Sequence, residues 1–216
     1  RGLVELQKEH PDYKLVDGYI IGRSSVDWTS TLTINIGTRS GVDVGMVQIG
    51  NETNGAMCGE KSSDLGGWAR ITQLMNAGSK AVREICPDAL IAIHFANPEN
   101  AASYASYGKN LDYYQVDYDV FASSYYPYWH GTLENLANVL NQIATTYGKK
   151  VMVAETSYAF TGDDTDFSGN TISSGSGVIQ DYPFTIQGQA TCVRNVIDTV
   201  ANKVTNGIGV FYWEGT

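Results

Sequence analysis

Five short apolar runs, each closing on polar or charged side chains, restrict this chain to a small set of folds. They fall at residues 45–49, 89–94, 119–124, 150–154 and 208–212. The runs are continuously apolar rather than alternating, as expected of strands buried on both faces. Between them lie stretches of helical spacing. Leu65, Trp68, Ile71, Met75, Val82 and Ile85 recur at intervals of three and four, with Ser63 or Asp64 as a cap and Pro87 as a stop. Asn97-Pro98 reads as the opening of a short helix. Thr132 caps a helix carrying Leu133, Leu136, Leu140 and Ile143 on one face, and Gly148 closes it. A last helix spans 185–203, with Ala190, Val193, Ile197, Val200 and Val204 aligned. Strands alternating with helices make β/α units and a parallel sheet, so the fold class is α/β.

In such sheets functional groups gather at the carboxyl ends of the strands. The endings here are Asn51-Glu52, His94, Ser123 to Tyr126, Glu155 and Trp213-Glu214. Two of them share one form. Met46-Val47-Gln48-Ile49 stops at Gly50 and delivers Glu52, and Val151-Met152-Val153-Ala154 delivers Glu155. A carboxylate at the mouth of a buried strand is costly to desolvate, so it is either paired or functional. Two of them, about a hundred residues apart in the chain, are the groups that cleavage of a glycosidic bond requires.

The formal charge of −9, with no basic run, argues against nucleic acid and anionic membrane surfaces as partners. No apolar run reaches the roughly 18 residues that a membrane span needs. At 43% hydrophobic, 216 residues suffice for one sizeable core. Cys58, Cys86 and Cys192 are widely spaced and lack metal-ligand spacing. They fit either three thiols or one bridge and a leftover. Residues 1–44 hold two short β-like stretches, 15–22 and 31–36, and no motif.

Together, Val-Gln-Ile-Gly-Asn-Glu at 47–52, Ser-Ser-Tyr-Tyr-Pro at 123–127, Val-Ala-Glu-Thr-Ser-Tyr at 153–158 and Val-Phe-Tyr-Trp-Glu at 210–214 resemble glycoside hydrolase family 53. Tyr147-Gly148-Lys149-Lys150 and Tyr182-Pro183-Phe184 add to the likeness, which runs from about residue 42 to 216. The resemblance implies a (β/α)8 TIM barrel and an endo-acting, retaining hydrolase of β-1,4-galactan, the pectic arabinogalactan side chain. Its acid/base would follow barrel strand four and its nucleophile strand seven, which maps to Glu52 and Glu155. A complete member has three β/α units before the Gly-Asn-Glu strand, and residues 1–44 do not display them. Residues 45–216 are therefore expected to be the C-terminal part of a barrel from a longer gene product, with residues 1–44 poorly assignable. Barrel strands four and eight would then be open edges. Secretion or display at the cell surface is expected, with a polysaccharide as the partner, neither nucleic acid nor membrane bound, and a monomeric state.

The resemblance also assigns Asn51 to the sugar 2-hydroxyl and Trp213 to an aromatic floor beneath the central sugar. Glu52 is expected to hold its proton in a partly apolar site, and Glu155 to stay ionised with help from Tyr125 or Tyr126. His94 is either a satisfied strand-end residue or a site member, supporting the catalytic groups from behind or contacting the substrate. Tyr128, Trp129 and His130 either line outer sugar subsites or pack a loop, and Glu214 is either a third site carboxylate or an ion-pair partner. Asp164, Asp166, Ser168 and Asn170 place oxygen donors at alternate positions around Gly169, like the first half of a calcium loop. The run is not an EF-hand, because Gly175 stands at the twelfth position. The resemblance implies a structural Ca2+ here, although Ser168 replaces a frequent histidine. Competing readings are a related hydrolase acting on mannan or xylan, and an inactive fragment that only binds carbohydrate.

Overall fold

A computed structural model describes residues 14–16, 19–21, 44–163 and 181–213. The chain divides into two compact units, the first holding residues up to Asn51, Gly55–Ile93 and Tyr114–Asp119, and the second Glu52–Asn54, His94–Tyr113 and 120 onward.

The first unit opens with a small antiparallel hairpin, β1 (Lys14–Val16) and β2 (Tyr19–Ile21). The expected stretch 15–22 is thus two strands rather than one, and the intervening Asp17-Gly18 is a dipeptide that two-residue hairpins favour. The stretch at 31–36 lies outside the described residues. Strand β3 (Met46–Ile49) is followed by a second short hairpin, β4 (Ala56–Met57) and β5 (Glu60–Lys61), and by helix α1 (Gly67–Ile85). Strand β6 (Leu90–Phe95) pairs in parallel with β3 through Leu90 to Ile93, and its last two residues belong to the second unit. Helix α1 buries Ile71, Met75 and Val82 completely.

Its start differs from the expectation. Neither Ser63 nor Asp64 caps it; Gly66, at φ 70°, does so without any side-chain bond, and Leu65 is 98% exposed. The reason is local crowding, since a Cβ on Gly67 would sit 1.9 Å from the Lys61 carbonyl oxygen. Close approach of the β5 backbone, rather than a capping side chain, fixes where this helix begins.

The second unit carries helix α2 (Ala101–Tyr113), strand β7 (Val120–Ser124), helix α3 (Leu133–Tyr147), strand β8 (Lys150–Thr156), helix α4 (Ile186–Asp198) and strand β9 (Gly207–Tyr212). The parallel pairs are β7 with β8 and β8 with β9, so order along the chain is order in space. Every residue of β7 is buried, as is all of β8 after Lys150. Continuous burial was expected of all five strands. It fails for β3, where only Ile49 is buried and Gln48 is exposed, and for β9, where Ile208, Phe211 and Tyr212 are exposed and which pairs only with β8 among the described residues.

Thr132 and Gly148 bound α3 as predicted. The Thr132 hydroxyl accepts from the Asn135 amide, and Gly148 adopts φ 65°. Thr185 caps α4 by accepting from the Gly188 amide at 3.0 Å, and a π-turn, Thr199–Lys203, follows that helix. Phe95 stacks on Tyr107 at 4.5 Å and on Phe121 at 4.9 Å, packing the inner ends of β6 and β7 against α2. All three cysteines are free thiols.

Gly188 tests this packing. A Cβ there would lie 1.9 Å from the Pro183 carbonyl oxygen, on backbone that cannot yield. Gly to Ala within a helix ordinarily stabilises by about 0.5–1 kcal/mol. Gly188→Ala should instead destabilise by about 1–3 kcal/mol, read as a lower urea midpoint.

Candidate active site

Strand β3 ends in two reversals. Gly50 takes φ 77°, which costs glycine nothing, but Glu52 also lies in the left-handed region at φ 45°. For a residue with a side chain that conformation costs on the order of 1–3 kcal/mol and persists only where neighbours enforce it. The neighbours are Thr53 and Asn54. The Thr53 amide and hydroxyl both donate to the His94 carbonyl, at 2.8 and 2.9 Å. The Asn54 side chain imitates one more rung of a β-ladder, accepting from the Ala96 amide at 2.7 Å and donating to its carbonyl at 3.0 Å. Glu52 is left exposed and strained, its backbone held from the residues that follow it.

Glu155 is delivered differently. Across β7 and β8, Ser123 pairs with Val153 but Ser124 pairs with Glu155, so β8 carries one extra residue there. The pairing to β9 repeats the shift, with Val153 opposite Val210 and Thr156 opposite Tyr212. A bulge at this point turns the following side chain away from the alternation that Val153 would impose. Glu155 is only 8% exposed. Burial pushes its carboxyl above the usual range, the hydrogen bond from Tyr126 pulls it back, and the Glu52 charge adds to the rise. The Tyr126 hydroxyl donates to Glu155 Oε2 at 3.1 Å.

These ends converge. Side-chain atoms of Glu52, His94 and Glu155 all lie within 4.8 Å of one another. Ser124 donates its hydroxyl proton to Glu52 Oε1 at 2.7 Å. The imidazole of His94 is fully buried, accepting from the Glu52 amide at Nδ1 (3.3 Å) and meeting Ser124 Oγ through Nε2 (2.9 Å). Burial lowers its pKa to about 4, against the pull of Glu52, so the ring is neutral near neutral pH. The spacing of the three groups would also suit a divalent ion, but both ring nitrogens are engaged in these hydrogen bonds. What remains is a close carboxyl pair. Retaining glycosidases hold theirs about 5–5.5 Å apart, and inverting ones about 6.5–9.5 Å.

The other expected residues divide. Of the two tyrosines offered to Glu155, the structure selects Tyr126. Tyr125 is 2% exposed and its hydroxyl donates to the Gly131 carbonyl, so it packs the core and is not a sugar contact. Of the roles open to His94, the structure gives the buried support behind Glu52 rather than the substrate contact. Tyr128 is core, stacked on Tyr158 at 4.8 Å. His130 is buried and accepts the Tyr126 amide at Nδ1, which fixes the loop. Trp129 is 39% exposed beside Tyr126, at 5.7 Å between ring centroids. Trp213 is half exposed, and its amide donates to the Thr156 carbonyl next to Glu155. Asn51 belongs to the first unit, where Gln48 donates to its side chain. Asp164, Asp166, Ser168, Asn170 and Glu214 lie outside the described residues.

The expectation placed apolar surroundings around Glu52; the structure gives burial to Glu155 and exposure to Glu52. Sequence reasoning also gave no role to Ser124, Thr53 or Asn54. Ser124 stood inside a quoted motif, which was the one available signal. The bulge has none, for no glycine or proline marks it.

Comparison with known proteins yields three kinds of likeness. The profile described as Glycosyl hydrolase family 53 matches residues 15–216, beginning further upstream than the resemblance read from the motifs. An endo-beta-1,4-galactanase of Bacillus subtilis (strain 168) is 55% identical over 176 residues, covering 82% of this chain and 40% of that protein. An arabinogalactan endo-beta-1,4-galactanase of Cellvibrio japonicus (strain Ueda107) is 33% identical over 177 residues, covering 78% and 46%. Among solved structures, the Ignisphaera aggregans GH53 catalytic domain superposes with a TM-score of 0.79 at 33% identity, covering 89% of this chain and 53% of that one. The chain thus spans about half the length of the relatives it matches. Its parallel strands and helices are part of a (β/α)8 barrel.

The raised pKa of Glu155 has a consequence for stability. The folded chain binds this proton more tightly than the unfolded chain does. The contribution is therefore most favourable at acid pH and is lost as pH rises through the folded value. Glu155→Gln should raise the urea midpoint at neutral pH, with the gain shrinking as the pH is lowered. An equal gain at both ends would show that burial is not the cause.

Proposed function

Since the chain belongs to glycosyl hydrolase family 53, we propose that it carries the catalytic centre of an endo-acting β-1,4-galactan hydrolase that retains anomeric configuration. The observation that carries the reading is that a carboxylate oxygen of Glu52 and one of Glu155 lie within 4.8 Å of each other. A pair this close fits the retaining arrangement better than the wider spacing that admits a water on the opposite face of the sugar.

Glu155 acts as the nucleophile. Its carboxylate bonds to the anomeric carbon while Glu52 gives its proton to the departing glycosidic oxygen, and the bond between carbon and that oxygen breaks. Glu52, now a carboxylate, then takes a proton from water as the water oxygen attacks the same carbon and releases Glu155. Tyr126 helps to hold Glu155 ionised against its own burial. Trp213 lies beneath the central sugar, and Trp129 extends the aromatic surface outward. Saccharides suit such faces because their C–H edges pack on aromatic rings. The relatives' names support galactan as the polymer. A polymer of that kind is met outside the cell, which supports secretion or surface display. No helix among the described residues is long and apolar enough to cross a membrane. Action as a monomer, without nucleic acid or membrane as a partner, fits the acidic charge.

The two roles separate by stereochemistry. On galactan, Glu155→Ala and Glu52→Ala should each lose about three orders of magnitude or more in kcat/KM. Azide added to Glu155→Ala should give the α-galactosyl azide, because the anion replaces the nucleophile. Added to Glu52→Ala it should give the β-azide, because it intercepts the glycosyl-enzyme. Exchanged products would exchange the roles. Cleavage of mannan or xylan in preference to galactan would overturn the substrate.

We also propose that Asp164, Asp166, Ser168 and Asn170 hold a structural Ca2+. Their donors are all hard oxygens, the set this ion prefers, and the ion would tie down the loop after β8. Removing Ca2+ with a chelator should lower the thermal midpoint, and Asp166→Ala should abolish that difference. An unchanged midpoint would remove the ion from the account.

A further inference from the structure

Hydrogen-bond polarity around Glu52 is fully determined by one group that can only donate. The Glu52 amide N–H points at His94 Nδ1, 3.3 Å away, so Nδ1 is the acceptor and carries no proton. A neutral imidazole must then bear its hydrogen on Nε2, which lies 2.9 Å from Ser124 Oγ. Ser124 has a single hydroxyl hydrogen, and having accepted from the ring it directs that hydrogen to Glu52 Oε1 at 2.7 Å. The circuit begins at the Glu52 backbone and ends at the Glu52 side chain.

We propose that His94 and Ser124 are positioning residues for the proton donor. By keeping Oε1 an acceptor they confine the carboxylic proton of Glu52 to Oε2, the oxygen that this circuit leaves to face the substrate. The inference rests on the reading that Glu52 is the acid. Two observations support it. The ring is entirely buried, and its lowered pKa keeps it neutral. The carbonyl of the same histidine accepts from both the amide and the hydroxyl of Thr53, so His94 grips the chain on the residue after Glu52 as well as at Glu52 itself.

A positioning role differs from a structural one in its dependence on leaving group. Galactan expels an alkoxide that needs the acid, whereas a dinitrophenyl β-galactobioside expels a phenolate that does not. Ser124→Ala should lose about ten- to a hundredfold in kcat/KM on galactan, and less than about threefold on the aryl substrate. Ser124→Thr, which keeps the hydroxyl, should recover most of the loss. Equal losses on both substrates would overturn the proposal. Glu52→Ala is the reference for the underlying reading: if it shows no leaving-group dependence, the acid assignment falls. The circuit is then judged on its own by the ring nitrogen resonances of His94 in the labelled chain at neutral pH. A neutral ring protonated at Nε2, perturbed in Ser124→Ala, supports the circuit. A ring protonated at Nδ1, or at both nitrogens, overturns it.

Discussion

The pairing of Ser124 with Glu155 across β7 and β8 is the constraint on which the site depends. Without the extra residue that β8 inserts before this pair, Glu155 would share a face with Val153. The insertion places a carboxylate opposite a hydroxyl at the buried ends of two strands, and the rest of the site is arranged around that pair. Tyr126, two residues beyond Ser124, reaches the outer oxygen of Glu155. Ser124 itself faces Glu52. One short stretch, Ser124 to Tyr126, therefore addresses both carboxylates, and its backbone is fixed by the bond from the Tyr125 amide to the Glu155 carbonyl.

Neutral groups, rather than cations, surround these charges among the described residues. A lysine or arginine beside Glu155 would ionise it more strongly, but would also lower the charge available for attack. The Tyr126 hydroxyl does less, favouring the anion but leaving the carboxyl above its ordinary range. A charged His94 would likewise offer Nδ1 as a donor and would lose the Glu52 amide as a partner. Complete burial prevents this.

What could be read from the sequence was whatever has a local or periodic signature. Thr132 and Gly148 were legible because capping chemistry involves one side chain and its own helix. Strands β6, β7 and β8 were legible because burial on both faces leaves an uninterrupted apolar run. Glu52 and Glu155 stood out because a charge at such an end is expensive. The start of α1 was not legible, since it follows from the approach of the Lys61 carbonyl to Gly67, a contact that local sequence does not encode. Tyr125 and Tyr126 are adjacent and chemically identical, so only the direction of the backbone after β7 could decide which faces Glu155. The match from residue 15 shows that the segment before β3 carries more family character than its lack of motifs disclosed.

The two carboxylates differ in how they are held, and this difference separates stability from function. Glu155 sits at the bulge of β8 without a left-handed backbone and is destabilising through the burial of its charge. Glu52 is exposed, and its cost lies in a left-handed backbone that Thr53 and Asn54 enforce. Strain of this kind is not relieved by changing the side chain, because the backbone is held by the residues after it. Substituting Glu52 therefore removes chemistry and little strain, except by glycine, which suits φ 45° without penalty. Substituting Thr53 or Asn54 does the reverse, letting the backbone relax and carrying a chemically intact carboxyl out of register with Ser124. The sensitivity of the site to residues that never meet a substrate follows from that arrangement.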